Sequence, residues 1–132
     1  MTEKISDAFK DVLSKPGFAH LATPMKDGSP QVTPVWYGFD GTHIRVNSAK
    51  GRLKDKNLRR DKRVALSIQD PDNAYRYMAI RGDVDEITEN GADAHIDGLA
   101  KKYLDKERYP FRAPGEVRVM YRIRPEKIST MG

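Results

Sequence analysis

Hydrophobic residues recur along this chain with two different periods. Near the N-terminus they recur every three or four positions, which predicts a short amphipathic helix over Ile5–Leu13. The same spacing predicts another amphipathic helix over Gly91–Leu104. Elsewhere apolar and polar residues alternate, as they do in strands that bury one face. This alternation predicts six strands, the last with a continuation over Lys127–Thr130: Phe18–Pro24, Gln31–Phe39, His43–Ser48, Arg63–Gln69, Tyr77–Ile87 and Val117–Ile123.

Turn signals and strand breakers indicate how these strands are connected. Asp27-Gly28 and Asp40-Gly41 each supply the positive φ that a tight hairpin needs. Pro34 indicates an edge strand, a bulge or a kink. Gly82, at the middle of the fifth strand, indicates a bulge or a sharp bend. Many strands with tight turns and few helices predict an antiparallel barrel or sheet, and the pattern leaves the strand order open.

Composition narrows the class of protein. A chain of 132 residues with 38% hydrophobic residues fits one domain spanning residues 1–132. The absence of cysteine excludes disulfides and thiolate metal sites and favours a reducing compartment. No run of about 18 apolar residues is present, so we expect no membrane span. Met1–Lys15 lacks the apolar core of a signal peptide, and we therefore expect a cytoplasmic protein.

The net charge of +5 is concentrated in one stretch. Lys50–Arg63, which we call the basic segment, contains eight basic residues and only two acidic ones, Asp55 and Asp61. The segment therefore carries +6 and the rest of the chain −1. Such a local excess indicates a local anionic ligand or an anionic docking surface, whereas a solvated helix face is the plainer alternative.

The basic segment is predicted to enclose a helix over Gly51–Arg60, with Leu53, Asn57 and Leu58 facing inward. The N-terminus of a helix attracts phosphate and carboxylate groups, and Ser48 just before it offers a hydroxyl donor. Arg52 and Lys56 lie one turn apart, and Arg59 or Arg60 follows on the same side. The segment therefore predicts a site for an extended anion.

Two groups of residues could hold a flat ring beside that anion. Thr33–Trp36 offer an apolar wall and free backbone groups, because Pro34 cannot donate to a sheet ladder. Trp36 could equally belong to the core or to a dimer interface. Tyr75 and Tyr77 could line the site from a partner subunit, or form a loop plug and a cross-strand pair. No catalytic nucleophile, acid or base pattern is present, and the three scattered histidines predict no metal site.

The run Ile44–Leu66 carries a resemblance to a known family. Its pattern resembles the pyridoxamine-phosphate-oxidase-like split-barrel family, and within it the branch that binds a deazaflavin coenzyme of the F-420 type. Three further stretches are similar to that family: a first hairpin, a strand with a central glycine, and the C-terminus. The main pattern is Arg52-x-Lys54-x-Lys56-Asn57-Leu58-Arg59-Arg60-Asp61-x-Arg63-Val64-Ala65-Leu66. The hairpin is Ala22-Thr23 with Gly28–Tyr37, and the glycine strand, Tyr77–Ile87, contains Arg81-Gly82. The C-terminal stretch runs from Tyr109-Pro110-Phe111 through Arg122-Ile123-Arg124-Pro125 to Met131-Gly132.

The resemblance implies a mainly β fold, a six-stranded antiparallel split barrel with two or three short helices. It also implies a homodimer with cofactor sites at the subunit interface. The implied activity is hydride transfer between reduced F-420 and an electron-poor small-molecule substrate. An FMN-binding protein of the same fold and a non-catalytic cofactor carrier are the alternatives. Nucleic acid is not an expected partner, because the basic segment contains no aromatic residue.

Pattern and resemblance together predict a set of cofactor-binding residues. Lys54 belongs to the set by resemblance alone, since in a regular helix it points away from its basic neighbours Arg52 and Lys56. The predicted cofactor-binding residues are Thr33, Pro34, Val35, Trp36, Asn47, Ser48, Lys50, Arg52, Lys54, Lys56, Asn57, Arg60, Tyr75 and Tyr77.

Overall fold

A computed structural model describes residues 2–132, which form one antiparallel sheet and three short α-helices. A 3-10 turn over Asp7–Phe9 leads into the first helix, so the predicted N-terminal helix is split at Phe9. The strands are β1 Ala19–Pro24, β2 Pro30–Val35, β3 Tyr37–Phe39, β4 Ile44–Ala49, β5 Arg63–Asp70, β6 Asn73–Thr88 and β7 Arg118–Met131, and the helices are α1 Lys10–Ser14, α2 Leu53–Arg60 and α3 Ala92–Leu104. Within residues 2–132, no helix has the length and apolar character needed to cross a membrane.

The order of the strands shows why the sheet must curl. The order is β2-β1-β5-β6-β7-β4-β3, so β2 and β3 form opposite edges. Yet Val35 ends β2 and Tyr37 begins β3, and a single residue, Trp36, separates them. Two such positions lie at most about 7 Å apart, because consecutive Cα atoms are 3.8 Å apart. The two edges are therefore brought together at Trp36, and the predicted split barrel is confirmed.

The structure has seven strands where the sequence predicts six, because Trp36 divides the predicted second strand into β2 and β3. Pro34 lies in the edge strand β2, as its missing N–H group predicts. The bend predicted at Gly82 is also confirmed by a register shift between Arg81 and Gly82. A Cβ atom at Gly82 would lie 2.1 Å from the carbonyl oxygen of Arg124, so only glycine allows this close approach of β6 and β7.

The barrel interior is filled by inward-facing residues of the strands together with residues of α1 and the 3-10 turn. Tyr37, which has no exposed surface, donates from its hydroxyl to the carbonyl oxygen of Val12 at 2.8 Å and so attaches α1 to the barrel. From α2, Leu58 enters the core as predicted. Leu53 does not, since 46% of its surface is exposed, and the prediction that it faces inward is wrong. Asp55 is buried on that helix instead.

Candidate cofactor site

The basic segment begins with a sharp change of chain direction after β4. Gly51 adopts φ +90°, a left-handed conformation that favours glycine, and Arg52 then precedes the first residue of α2. Asp55, 2% exposed, accepts hydrogen bonds from the Gly51 N–H at 2.9 Å, the Tyr121 hydroxyl at 2.6 Å and Arg59 Nε at 3.0 Å. One buried carboxylate therefore fixes the start of α2 to β7. These hydrogen bonds hold the pKa of Asp55 below its usual value although its burial acts to raise it.

The cations of the basic segment fall into two groups. Lys50 pairs with Glu89 at 3.2 Å, Arg59 with Asp55 at 3.0 Å and Arg63 with Asp61 at 2.7 Å. Among the described residues 2–132, the other five cations have no carboxylate oxygen within 4.0 Å, and these are Arg52, Lys54, Lys56, Arg60 and Lys62. The excess of positive charge is therefore concentrated on a subset of the segment.

Lys54 is the most confined of these unpaired cations. Its side chain is partly buried, and burial lowers its pKa, with further lowering by the charges of Arg52 and Arg118. We call Arg52, Lys54 and Arg118 the cation cluster. The carboxylate of Glu116 lies beside Arg118, to which it pairs, and it also accepts a hydrogen bond from the Ala113 N–H at 3.0 Å. One carboxylate against three cations leaves the cluster with a net positive charge, which is the electrostatic condition for binding an anion.

Aromatic rings adjoin the cation cluster. The ring of Trp36 stacks on that of Tyr103 with centroids 5.0 Å apart and planes at 6°. Tyr109 meets Trp36 edge-on at 5.9 Å, and the guanidinium of Arg118 lies 5.1 Å from the centre of the Tyr109 ring. We call Trp36, Tyr103 and Tyr109 the aromatic group. Trp36 is thus connected through Tyr109 and Arg118 to the cations of α2, as a site for a ring with an anionic tail requires.

Asn47 positions Arg118 rather than projecting freely into this site. Its Oδ1 accepts from Arg118 Nε at 2.8 Å, and its Nδ2 donates to the carbonyl oxygen of Ala92 at 2.9 Å. Asn47 therefore joins β4, β7 and α3, and it holds Arg118 in a single orientation. A direct contact of Asn47 with a cofactor stays a prediction.

Two other predicted site residues lie inside the barrel. Asn57 has no exposed surface and donates to Thr23 Oγ1 at 3.1 Å. Ser48 is 1% exposed, faces inward like Val46, and its Oγ has no hydrogen-bond partner among the described residues. The sequence places Ser48 at the entrance to α2, but strand alternation turns its side chain inward. Contact of either side chain with a cofactor stays a prediction.

The remaining predicted residues are distributed over the edge strand and the surface of α2. Val35 is buried in the core, whereas Pro34 is exposed on β2, which pairs only with β1 and leaves its outer backbone edge unpaired among the described residues. Thr33, which precedes Pro34, is partly buried. Lys56 is exposed on α2, and Arg60 bonds to the carbonyl oxygen of Pro24 at 3.4 Å.

Tyr75 and Tyr77 lie far from the cation cluster within one chain. They stand near the β5–β6 turn, at the end of β5 opposite to α2. The eight residues of β5 span about 25 Å at the usual rise of a strand. Tyr75 is 81% exposed. The prediction that these tyrosines line the site from a partner subunit is not tested by a single chain.

Sequence reasoning missed Arg118, Tyr103 and Tyr109 as site residues. Arg118 lies 55 positions after the end of the basic segment, and only the pairing of Ala49 with Arg118 brings β7 beside the start of α2. Its signal in the sequence is a single charge at the head of a strand of buried residues. Tyr103 fits the apolar face of α3 and Tyr109 lies in a loop, so neither stands out by its spacing.

Comparison with known proteins identifies the family. The family model described as pyridoxamine 5'-phosphate oxidase matches residues 5–132. The chain belongs to this family. Its members and relatives indicate an oxidoreductase of the flavin- and deazaflavin-related class.

Solved structures agree with this family assignment. The chain is 34% identical to an F-420 reductase, covering 95% of this chain and 98% of that one with a TM-score of 0.84. A conserved hypothetical protein from Mycobacterium tuberculosis is 26% identical, with 96% and 84% covered and a TM-score of 0.77. A Listeria innocua protein assigned to the pyridoxamine 5'-phosphate oxidases is 20% identical, with 94% and 95% covered and a TM-score of 0.71, and this likeness shows the fold alone.

The residues present fit a cofactor that combines a flat ring with an anionic tail. The cation cluster is only partly neutralised, by Glu116, and the aromatic group supplies a flat apolar wall beside it. The two groups adjoin through Tyr109 and Arg118, and such a cofactor would use this adjacency.

Proposed function

We propose that this protein is a homodimeric oxidoreductase that uses the deazaflavin coenzyme F-420. The observation that supports the proposal is the cation cluster, only partly neutralised, beside the stacked aromatic group. The cation cluster comes from the start of α2 and from β7, and the aromatic group from the Trp36 junction, α3 and the loop after α3, so the fold assembles them from distant parts of the chain.

Each residue has a defined task under this proposal. Arg52 and Lys54 bind oxygens of the anionic tail, and guanidinium and ammonium donors form strong charge-assisted hydrogen bonds with such oxygens. Lys56 and Arg60 continue the positive charge along α2. Trp36 forms one wall of the ring site. Arg118, fixed by Asn47 and Glu116, adds a cation that loses little freedom on binding.

A bound reduced deazaflavin supplies the hydride for an electron-poor substrate. The protein then has to bind the ring, orient the substrate and exclude water. Under this proposal the aromatic group performs these tasks, and none of them needs an acidic or basic side chain. The sequence, accordingly, shows no pattern of a nucleophile with its base.

F-420 is favoured over FMN by the number of unpaired cations. FMN carries one phosphate, whereas the deazaflavin tail carries a phosphodiester followed by carboxylates. The five unpaired cations of the basic segment extend from Arg52 to Lys62, which suits the longer anion. The F-420 reductase with 34% identity points in the same direction.

A comparative titration tests the choice of cofactor. We expect purified protein to bind F-420 with micromolar or better affinity, monitored by deazaflavin fluorescence polarisation, and to bind FMN at least about tenfold more weakly. Tighter binding of FMN would favour the alternative of an FMN-binding protein. Binding of neither coenzyme would exclude both.

The homodimer is proposed from the outer face of the sheet. Ala22, Ala65 and Ala79 face outward from β1, β5 and β6 and form the floor of a shallow concavity of about 570 Å³. Its lining is mainly apolar or small, with Glu3, Arg81 and Lys127 as its charged members. Tyr75 and Tyr77 alternate onto the same face of β6 as Ala79. A second copy packed on this face would cover the concavity and would receive the two tyrosines.

A charged residue at the centre of this face tests the homodimer. We expect light scattering to give twice the 15.0 kDa of one chain for the natural protein, and one chain for Ala79→Glu, because association would have to remove the added carboxylate from water. Ala8→Glu, on the exposed 3-10 turn, is the control and should stay dimeric. A dimeric Ala79→Glu variant would place the interface elsewhere.

A further inference from the structure

A groove separate from the cation cluster lies between α3 and the strands β3 and β4. It has a volume of about 530 Å³, within the range of small-molecule sites. Among the described residues that line it, none carries a carboxylate. The residues that matter for its chemistry are Gly38, Phe39, Arg45, His95, Leu99 and Lys102.

His95 presents a hydrogen-bond donor to this groove. Because Asn47 Oδ1 accepts from Arg118, Asn47 Nδ2 is the donor that lies 3.0 Å from His95 Nδ1. His95 Nδ1 must therefore accept, and in the neutral ring the proton resides on Nε2. Burial and the charges of Arg45 and Arg118 lower the pKa of His95 to about 4, so the ring is neutral at physiological pH. The Nε2 atom is buried and has no partner among the described residues.

Arg45 provides a further donor beside His95. Its Nε is also buried without a partner, and its guanidinium has no carboxylate oxygen within 4.0 Å among residues 2–132. An unpartnered buried donor is costly, so two neighbouring ones indicate an acceptor that completes them. Lys102 adds positive charge nearby, but its Nζ already donates to the carbonyl oxygens of Tyr37 at 2.8 Å and Leu13 at 2.9 Å.

Space for that acceptor exists because position 38 is a glycine. A Cβ atom there would lie 3.9 Å from His95 Nε2 and 3.7 Å from Leu99 Cδ2. The rest of the lining is mainly apolar, with Phe39 and Leu99 among its walls. One neutral and one charged N–H donor match a single negative charge better than they match a phosphate dianion, and the apolar walls match an apolar body.

We propose that this groove binds a small organic acid, with its carboxylate accepting from His95 Nε2 and Arg45 Nε and its apolar part against Phe39 and Leu99. The site does not depend on the proposed coenzyme. Asn47, which bonds to His95 on one side and to Arg118 on the other, separates the groove from the cation cluster.

The test uses benzoate as the probe and nitrogen-15 NMR of the histidine side chains as the readout. The chain has three histidines, so His20 and His43 serve as internal references. We expect benzoate to shift the His95 Nε2–H resonance downfield in a saturable manner, whereas the uncharged isostere benzamide and inorganic phosphate do so at least about tenfold more weakly. No shift of this resonance with benzoate would overturn the proposal, and a stronger response to phosphate would overturn its assignment to a carboxylate.

Three variants separate the groove from the cation cluster. Arg45→Gln removes the charge and should weaken benzoate at least about tenfold. Gly38→Ala adds one methyl group at ordinary contact distances, so the variant should fold normally and still block the acceptor position. Lys54→Ala should leave benzoate binding unchanged. The proposal is wrong if Gly38→Ala binds benzoate normally, or if Lys54→Ala abolishes binding.

Discussion

The two aspartates of the basic segment stand six positions apart and have different surroundings. Asp55 is buried, and its oxygens accept from Gly51, Arg59 and Tyr121. Asp61 lies at the end of α2 and pairs with Arg63, whose side chain is 78% exposed. The first therefore orders the start of the helix, whereas the second neutralises a cation at the surface.

The same contrast applies to the cations. Lys50, Arg59 and Arg63 each have a carboxylate partner, whereas Arg52 and Lys54 lie between them without one. A formal charge of +6 over the segment hides this distinction. Binding of an anion depends on the unpaired cations, and stability depends on the carboxylates that hold the paired ones.

The largest effect is expected when the buried carboxylate is removed. Asp55→Ala leaves the Tyr121 hydroxyl and the Gly51 N–H without their acceptor, and we expect a loss of about 3 kcal/mol in the free energy of unfolding. Urea denaturation followed by tryptophan fluorescence measures it. Asp61→Ala is the matched control and should cost less than about 1 kcal/mol, because surface ion pairs contribute little. Equal losses in both variants would contradict the distinction between the two aspartates.

Burial, together with the charges of Arg45 and Arg118, makes His95 a source of pH-dependent stability. Its pKa is lowered from 6.5 to about 4 in the folded protein, so the unfolded chain binds more protons between these values. Stability is therefore fully present above pH 6.5 and falls as the pH drops towards 4, by about 2–3 kcal/mol. His95→Gln should flatten the stability profile over this interval in urea denaturation. An unchanged slope in the variant would assign the pH dependence to other groups.

The fold was largely predictable because local patterns determine it. Strand alternation, the Asp-Gly turns and the bend at Gly82 all act over a few residues. The break at Trp36 was not predictable. Trp36 stacks on Tyr103, which lies in a helix much later in the chain, and local spacing does not reveal such a contact. The same limitation explains the wrong prediction for Leu53. Its hydrophobicity predicts that it is buried, but hydrogen bonds to a distant strand bury Asp55 on that helix instead. One signal could have indicated Asp55. An acidic third residue of a helix can accept a hydrogen bond from the backbone just before the helix, as Asp55 does from Gly51.

The candidate site was predictable only in part. Charge density located the basic segment, but it does not separate paired from unpaired cations, because Glu89 comes from a distant part of the chain. Arg118 joins Lys54 only through the pairing of β4 with β7. Sequence spacing therefore identified the element that carries the site, whereas three-dimensional pairing identified which of its charges remain available.

Affinity measurements directly test whether unpaired cations contribute more to binding than paired ones. Lys54→Ala removes an unpaired and partly buried charge, and we expect F-420 to bind about 10- to 100-fold more weakly, as for the loss of one charge-assisted contact. Arg63→Ala removes a paired, exposed cation of the same segment and should change affinity less than about twofold. Equal losses would mean that the segment acts through its total charge rather than through particular residues.

The smallest effect is expected at Lys56, which is unpaired like Lys54 but exposed. A charge in contact with water is screened, so Lys56→Ala should weaken F-420 about two- to fivefold at low salt. Raising the salt to about 0.5 M shortens the range of electrostatic interactions to a few ångströms and should nearly abolish this difference. The penalty of Lys54→Ala should largely persist, because partial burial protects its contact from screening. Fluorescence polarisation of both variants at two salt concentrations measures this, and a salt-insensitive loss at Lys56 would show that its ammonium group, too, makes a close and shielded contact with the coenzyme.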